Sequence, residues 1–598
     1  MKLYKGVSPE SVALFAGKLG INTDEVFQQW YRAATNNRSA LKRLIHRKGT
    51  PGFSEDGSRV LASFLTSNGR RASMLYHLGD VQEAIEDFPR QQGAEKTAAI
   101  RLAEYVQEPA EEASAIRAFM FMHFLGGTVS NFLINATQPA MVTLPYLAQF
   151  NGMQRAMGLL KDAYILARNP ETIPAELREA LDRAEQEGKV GAQEIFHLWQ
   201  ETARPLVASM GRYGDDAAYR ANAFMQLWGM PFAVAEHLNR QVTFIAAYQS
   251  AKEQGLSNDA AYSRGVLAVD ETQFVYGKQN RPDWARGSVG AVVFTFKLFV
   301  ISYTELLVRM LRGNKESRRS ALYMLGILFM ASGLQGLPGS DDLDDLIDTI
   351  CQILGYNVAS KQAKRKWIED IAGKEVAQVA LYGLSALSPL DVSARMGLGN
   401  ILPGTGLFKP SNDRKFADVL EIVGPIGGVA QAYINTADAV STGNWDREQT
   451  EWMPKALRDI AQGAQMLATG EARDARGRKV VDVDPVDEVT KIIGFNPQVV
   501  AREHRTIRPI QQQIDFAKRE ESLIADRWAR GVLEGDQSVV TKAKQAVADW
   551  NAANPETPIG IKYSQIARRL KEMRATKEDR LLKSATKETR EYVKEAME

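Results

Sequence analysis

Lys479-Val480-Val481-Asp482-Val483 is the strongest run of β-branched residues in the chain, and at five residues it is too short to build a sheet alone. Around it the sequence reads as helix after helix. Ser8-Pro9-Glu10 offers a capping hydroxyl followed by proline at the first helical position, where its φ is already set. Asn22-Thr23-Asp24-Glu25 leads into Val26, Trp30 and Ala33 at three-to-four spacing, which is one apolar helix face. Gly255 before Leu256-Ser257-Asn258-Asp259 is a helix stop and an immediate restart, and Asp484-Pro485 and Gly535-Asp536 repeat that grammar. These signals predict an all-α fold: an extended multi-helix body with a central apolar helical zone and no substantial sheet.

Composition narrows the class. The 598 residues carry 74 Lys+Arg against 72 Asp+Glu, and a net charge of +2 is not that of a dedicated nucleic-acid coat. A single cysteine, Cys351, excludes a disulfide framework and any Cys-rich zinc module. Met1 to Gly20 lacks the apolar core and cleavage site of a secretory signal, so the chain is expected to stay in a reducing cytoplasm until something else moves it.

Four zones follow one another: an N-terminal amphipathic region (1–114), a long-helix region (115–286), an apolar Gly-rich region (287–445) and a charged C-terminal region (446–598). Long helices in the second are expected to break at Asn135 to Pro139 and at Arg168 to Glu171. In the third, Val289 to Ile301 is apolar around a whole helical circumference apart from Lys297. Ala321 to Leu337 follows; at ~1.5 Å per residue it reaches about 25 Å, just short of a ~30 Å hydrocarbon core. Val376 to Leu387 and Val419 to Ile434 are further apolar pieces. Such helices form the core of a large domain or meet a bilayer or copies of themselves, and Val293, Phe294, Phe296, Lys297, Phe299, Leu325, Ile327, Leu328 and Phe329 are the candidate membrane or subunit-interface residues.

Reaction chemistry leaves little trace. The six histidines include no pair at i, i+4 spacing, so a metal site is not expected. The chain has no phosphate loop and no nucleophile elbow, and Gly397-Leu398-Gly399 lacks the third glycine and the strand of a dinucleotide fingerprint. No cofactor and no catalytic residue is expected, and an envelope-degrading enzyme would have to release muropeptides. Basic clusters that could line a DNA path include Lys364, Arg365 and Lys366, and Arg568, Arg569 and Lys571; solvated helix faces laced with ion pairs give the same pattern.

Several segments, in order along the chain, resemble one family. They are His46 to Asp56 with Arg59 to Phe64, Ser130-Asn131-Phe132-Leu133-Ile134-Asn135-Ala136-Thr137-Gln138-Pro139, the Gly-rich Pro389 to Gly406, Ile493-Gly494-Phe495-Asn496-Pro497, and Trp550-Asn551-Ala552-Ala553-Asn554-Pro555. Together they are similar to the C-terminal regions of tailed-phage PLxRFG-domain or large polyvalent proteins. The resemblance implies an internal virion protein, especially of a short-tailed phage, ejected with the genome and forming a homo-oligomeric ring or channel for DNA passage. Its implied partners are other internal virion proteins and the portal, phage DNA without sequence preference, and the host inner membrane or periplasm. Its implied location is the virion interior, then the host envelope. The alternative is a non-channel scaffold of the portal-proximal core. Lys297→Glu distinguishes two roles for the apolar zone: loss of assembly with soluble folding intact marks an interface, and global unfolding in circular dichroism marks a core.

Overall fold

The computed structural model describes residues 76–89, 93–107, 112–191, 215–274, 280–400, 427–430, 432–434, 452–474 and 478–575. The helix starts read at Ser8 and Asn22, the segment His46 to Phe64, the residues Ile401 to Gly406 and the stretch Val419 to Ile426 lie outside them. The fold is all-α. Its helices are α1 (Leu78–Glu86), α2 (Gly93–Gln107), α3 (Ser114–Phe124), α4 (Val129–Ala136), α5 (Leu144–Asn151), α6 (Met153–Arg168), α7 (Ala175–Gln186), α8 (Asp215–Glu253), α9 (Asn258–Thr272), α10 (Gly287–Val293) and α11 (Leu298–Arg312). They continue with α12 (Lys315–Ser332), α13 (Ser340–Ile353), α14 (Ser360–Ala372), α15 (Lys374–Tyr382), α16 (Ser393–Met396), α17 (Lys455–Thr469), α18 (Pro485–Ile492), α19 (Gln498–Glu534), α20 (Gln537–Ala553) and α21 (Tyr563–Arg574). Among the described residues, strands are confined to two antiparallel pairs, β1 (Leu390–Asp391) with β4 (Asn496–Pro497) and β2 (Glu471–Arg473) with β3 (Lys479–Asp482). The best strand signal of the sequence is thus one arm of a hairpin.

Local chemistry sets the helix ends where it was legible. Ser257 caps α9 by accepting from the Ala260 amide, and Asp484 and Asp487 form a reciprocal capping box with Pro485 opening α18. Gly535 closes α19 in the left-handed region, and Asp536 at once accepts the Ser538 and Val539 amides to start α20. The break at Asn135 to Pro139 holds: α4 ends at Ala136 and a π turn, Pro139–Thr143, leads into α5. So does the break after Arg168, where Pro170–Thr172 forms a 3-10 turn.

Val289 to Ile301 is not one helix. It divides into α10 and α11, bent by 83° at Phe294 to Lys297. Thr295 donates to the Ala291 carbonyl at 2.6 Å inside the turn, and Lys297 Nζ donates to Asn400 Oδ1 at 2.6 Å. The run read as apolar apart from Lys297 therefore turns midway, with Lys297 engaged by Asn400 at the bend. Among the described residues no single helix is long and apolar enough to cross a membrane; α10 and α11 pass that test only as this bent pair. Ala321 to Leu337 likewise ends early, α12 stopping at Ser332 before a 3-10 turn at Leu334–Gly336.

Contacts divide the chain into two compact units, where the four zones followed composition: Met1–Ala115 with Gln200–Phe224 and Tyr276–Arg286, and Ile116–Trp199 with Met225–Val275 and Gly287–Glu598. In the first, Arg281 is buried against Glu112 at 2.8 Å, and the Tyr105 hydroxyl donates to the same carboxylate at 2.7 Å. In the second, Phe244 and Ile245 of α8 are fully buried, Phe244 lying edge-on to Tyr262 of α9, while Thr143 and Thr243 share a hydroxyl hydrogen bond at 2.9 Å. Tyr303 of α11 is fully buried and donates to the Met324 carbonyl of α12. Phe516, Ile524, Trp550 and Ile559 form a further cluster at the junction of α19 and α20.

Backbone meets backbone where α12 and α15 end. Gly333 (φ +68°) and Gly383 (φ +78°) each hold a conformation that a side chain opposes; a Cβ on Gly333 would stand 2.3 Å from the Leu381–Tyr382 backbone, and one on Gly383 2.6 Å from that of Ala331–Ser332. Gly333→Ala is expected to cost about 3 kcal/mol or more in urea unfolding. Gly326→Ala, inside α12 with open space around it, is expected to raise stability by up to about 1 kcal/mol.

Candidate functional site

Three segments singled out in the sequence, distant from one another along the chain, meet at Arg395. Its Nη1 donates to Ser130 Oγ at 2.7 Å and to Asn131 Oδ1 at 3.1 Å, and its Nη2 donates to the Gly494 carbonyl. The Ser130 amide donates to the Ile493 carbonyl at 3.1 Å, and β1 pairs with β4, so the segments around 130, 390 and 495 are also joined through backbone. Asn131 reaches back to the Phe124 and Leu125 carbonyls. Gly494 takes a φ of +98°, and a Cβ there would press on Ser130 Oγ at 2.7 Å.

Behind Arg395 lies Asp459 of α17, which is 2 % exposed. Lys455, one turn earlier, is ion-paired to it, and Lys491 of α18 donates to it at 2.8 Å and to Asn496 Oδ1 at 3.2 Å. Burial, reinforced by the charge of Arg395, lowers the Lys455 amine to about 8. Burial also lowers the Lys491 amine, and lowers His123, on which the charge of Arg458 acts in the same direction. Arg395, Lys455, Arg458 and Lys491 thus gather near Asp459, and the charge of the buried Asp391 also reaches Arg395. A second clasp stands beside the strand pair: Arg505 of α19 donates to Asp391 Oδ1 and to Ser393 Oγ, each at 2.7 Å, and lies 3.9 Å over the Tyr382 ring. The closing segment is a turn clip: Trp550 Nε1 donates to the Thr557 carbonyl, and Asn551 exchanges hydrogen bonds with the Ile559 backbone. Asn554 donates to Gly355 and accepts from the Asn357 amide.

Two helices turn aliphatic faces to solvent. In α13 and its end, Leu343, Leu346, Ile347, Ile350 and Leu354 recur at three-to-four spacing and are exposed, Leu354 at 66 %. The opposite side of α13 is held by charge: Asp341 pairs with Lys361 at 2.6 Å, Asp344 with Lys364 at 2.5 Å, and Asp348 accepts the Ser360 amide at 2.7 Å. In α17, Ala456, Asp459, Gly463 and Met466 face inward, and Leu457, Ile460, Ala464 and Leu467 face out, Leu467 at 65 % exposure. Trp367 and Ile371 of α14 and Val486 and Val489 of α18 are exposed as well.

The residues singled out from the sequence fall differently. Val293 and Leu328 are buried in the second unit; Phe294, Phe296, Phe299, Leu325 and Ile327 are half-buried, with Phe296 edge-on to Phe124 and Phe299 to Phe274. Of that group only Phe329 counts as exposed, at 39 %. Lys364 is tied to Asp344, Arg365 to Glu369 at 2.7 Å and Thr506 at 2.8 Å, Lys366 more loosely to Glu556 at 3.6 Å, and Arg569 to Asp526 and Ser522. Arg568 and Lys571 are exposed on α21. The outward faces of α13 and α17 went unread because amphipathic spacing identifies a stripe without saying whether it points in or out. Among the described residues no group of His, Cys, Asp or Glu stands close enough to hold a metal ion.

Comparison with protein-family models, with curated proteins and with solved structures gives no match.

Asp459→Asn is expected to cost about 3–5 kcal/mol, because it leaves ammonium groups buried without a counter-charge. The pH profile carries a second test. The Lys455 amine lies at about 8 in the fold and near 10.4 in an unfolded chain. Between those values the unfolded state binds more protons, so stability rises with pH across that window. Below it both states are protonated and the cost of burying the charge stands in full. Thermal unfolding from pH 7.5 to 10.5 is expected to show this gain in the parent and to lose it in Lys455→Met.

Proposed function

We propose that this chain is an internal virion protein of a tailed phage, ejected with the genome and assembling as a ring or channel that carries DNA across the host envelope. The observation that carries the reading is the pair of aliphatic helix faces that α13 and α17 turn outward. Contiguous exposed apolar surface is uncommon on a protein that works alone and marks a place where something docks. A ring of identical subunits gives such faces a partner on every copy, because a head-to-tail contact that closes leaves no face uncovered. The family-like segments support the same reading, since Arg395 draws three of them into one structural unit. Arg568 and Lys571 are the candidates for contact with DNA phosphates, their charge standing in water on α21.

A second reading, a portal-proximal scaffold that never meets lipid, is favoured by one observation. Val293, Leu298, Tyr303 and Leu306, four of the apolar residues of the bent pair, are buried in the interior of the second unit. Electron microscopy of the purified full chain is expected to show closed rings. Added liposomes are expected to protect residues 287–445 from protease if the ring inserts; rings with that zone fully digested favour the scaffold. Monomers at every concentration, in a protein absent from purified virions, would overturn both.

A further inference from the structure

Charge is balanced along the whole chain and uneven in the helices that end the described part of it. Between Gln537 and Arg574 there are seven Lys or Arg against three Asp or Glu. Two of those acids are engaged elsewhere: Asp549 accepts from Gln545 at 2.8 Å, and Glu556 faces Lys366 of α14 at 3.6 Å. On the inner side of α21, Gln565 donates to Glu521 of α19 at 2.7 Å, while Arg569 is ion-paired to Asp526 and donates to Ser522 at 2.8 Å. Those bonds, with Ile566 buried beside them, fix which side of α21 faces out. Tyr563, Ala567, Lys571 and Arg574 recur on that outer side at three-to-four spacing, and all four are exposed. Among the described residues Lys544, Lys562, Lys571 and Arg574 pair with no carboxylate, and all are exposed.

An aromatic pair stands with these cations. Tyr563 is 77 % exposed, and its ring lies edge-on to Trp528 of α19 with centroids 6.1 Å apart. Lys544 Nζ of α20 stands 5.3 Å over the Trp528 ring. The tyrosine is held on a firm base. Trp528 packs against the Phe516–Trp550 cluster, and the turn before Tyr563 is clipped by Trp550 to Thr557 and by Asn551 to Ile559. Bases free of a duplex stack on such a ring whatever their identity, and cations along the same surface take the phosphates. A duplex keeps its bases stacked on one another, so it engages the cations and leaves the ring unused. Anionic lipid would use the cations too, but the exposed residues of α21 beside Tyr563 are Ser564, Ala567, Arg568, Lys571, Glu572 and Arg574, with no aliphatic stripe to enter a bilayer.

We propose that Tyr563, with Lys544, Lys562, Lys571 and Arg574, binds single-stranded nucleic acid, a base stacking on the tyrosine ring and neighbouring phosphates meeting the cations. This rests on the DNA-contact part of the reading above and names the form of chain that the surface takes.

The test uses the full chain and fluorescein-labelled oligothymidylate, followed by fluorescence anisotropy, with a hairpin duplex of equal length for comparison. The single strand is expected to bind about tenfold more tightly than the duplex. Raising salt from about 50 to 200 mM is expected to weaken single-strand binding roughly fiftyfold, as four neutralised phosphates require. Tyr563→Ala is expected to cost about tenfold for the single strand and to leave the duplex unchanged, while Tyr563→Phe keeps the parent affinity. Lys571→Gln combined with Arg574→Gln is expected to weaken both forms and to reduce that salt effect to roughly sevenfold. Helical content in every variant is expected to match the parent, since the altered side chains stand in water. Equal loss for strand and duplex on Tyr563→Ala, or a duplex held as tightly as the strand, would overturn the stacking proposal and leave contact through phosphates standing. Absence of binding to either at about 50 mM salt would remove the DNA-contact reading as well. Capture by phosphatidylglycerol vesicles that Tyr563→Ala weakens, with no oligonucleotide bound, would overturn the proposal in favour of lipid.

Discussion

Asp459 is one carboxylate serving ammonium groups from two helices, with a guanidinium close by, and the arrangement of the second unit's C-terminal half depends on it. A charge as buried as this is tolerated only when paired and hydrogen-bonded. Satisfying it fixes α17 against α18, and α18 places Gly494 and Asn496 where Arg395 and β1 can meet them. The inward face of α17 otherwise consists of Ala456, Gly463 and Met466, small or unbranched groups that let α18 approach closely. The larger aliphatic side chains of the same helix are left outside. The outward stripe is therefore the other side of an electrostatic requirement, since the face that must bury the carboxylate cannot also bury Leu457 and Leu467.

The segments around Ser130, Arg395 and Gly494 gain a physical meaning from the same junction. Ser130 supplies a hydroxyl acceptor, Asn131 a carboxamide that caps the previous helix, Arg395 a forked donor, and Gly494 a backbone bend that leaves space for the hydroxyl. Asn551 and Asn554 act comparably in the closing turn, where their carboxamides substitute for missing backbone partners. Each of these residues acts as a fastener between helices that are distant in sequence.

Much of the fold was legible in the sequence, and the reason is local. Ser257, Asp484, Gly535 and the Asn135–Pro139 and Arg168–Glu171 breaks act through bonds to residues within a few positions, so reading them needs no knowledge of the remainder. The bend at Phe294 to Lys297 was not legible; the Asn400 that engages Lys297 there lies about a hundred positions on. The candidate surface was illegible for a related reason. Spacing shows that Leu343 to Leu354 form a stripe, and only the pairing of Asp341 and Asp344 with α14 shows which way it points. Of the apolar residues that looked most available to a partner, Val293 and Leu328 are instead buried and most of the others half-buried, while the aliphatic stripes of α13 and α17 stand outside.

The Arg395 junction also orders events during synthesis. The Gly494 carbonyl lies 99 positions after the arginine, and Ser130 lies 265 positions before it. At about 5–20 residues per second, a ribosome needs roughly 5–20 s to add the intervening stretch. Through that interval the nascent chain presents its earlier helices with this clasp open, and only the emergence of α17 and α18 lets it shut. Quality control at the ribosome therefore meets a chain whose middle third waits for its end, and truncation anywhere before residue 494 leaves that wait permanent.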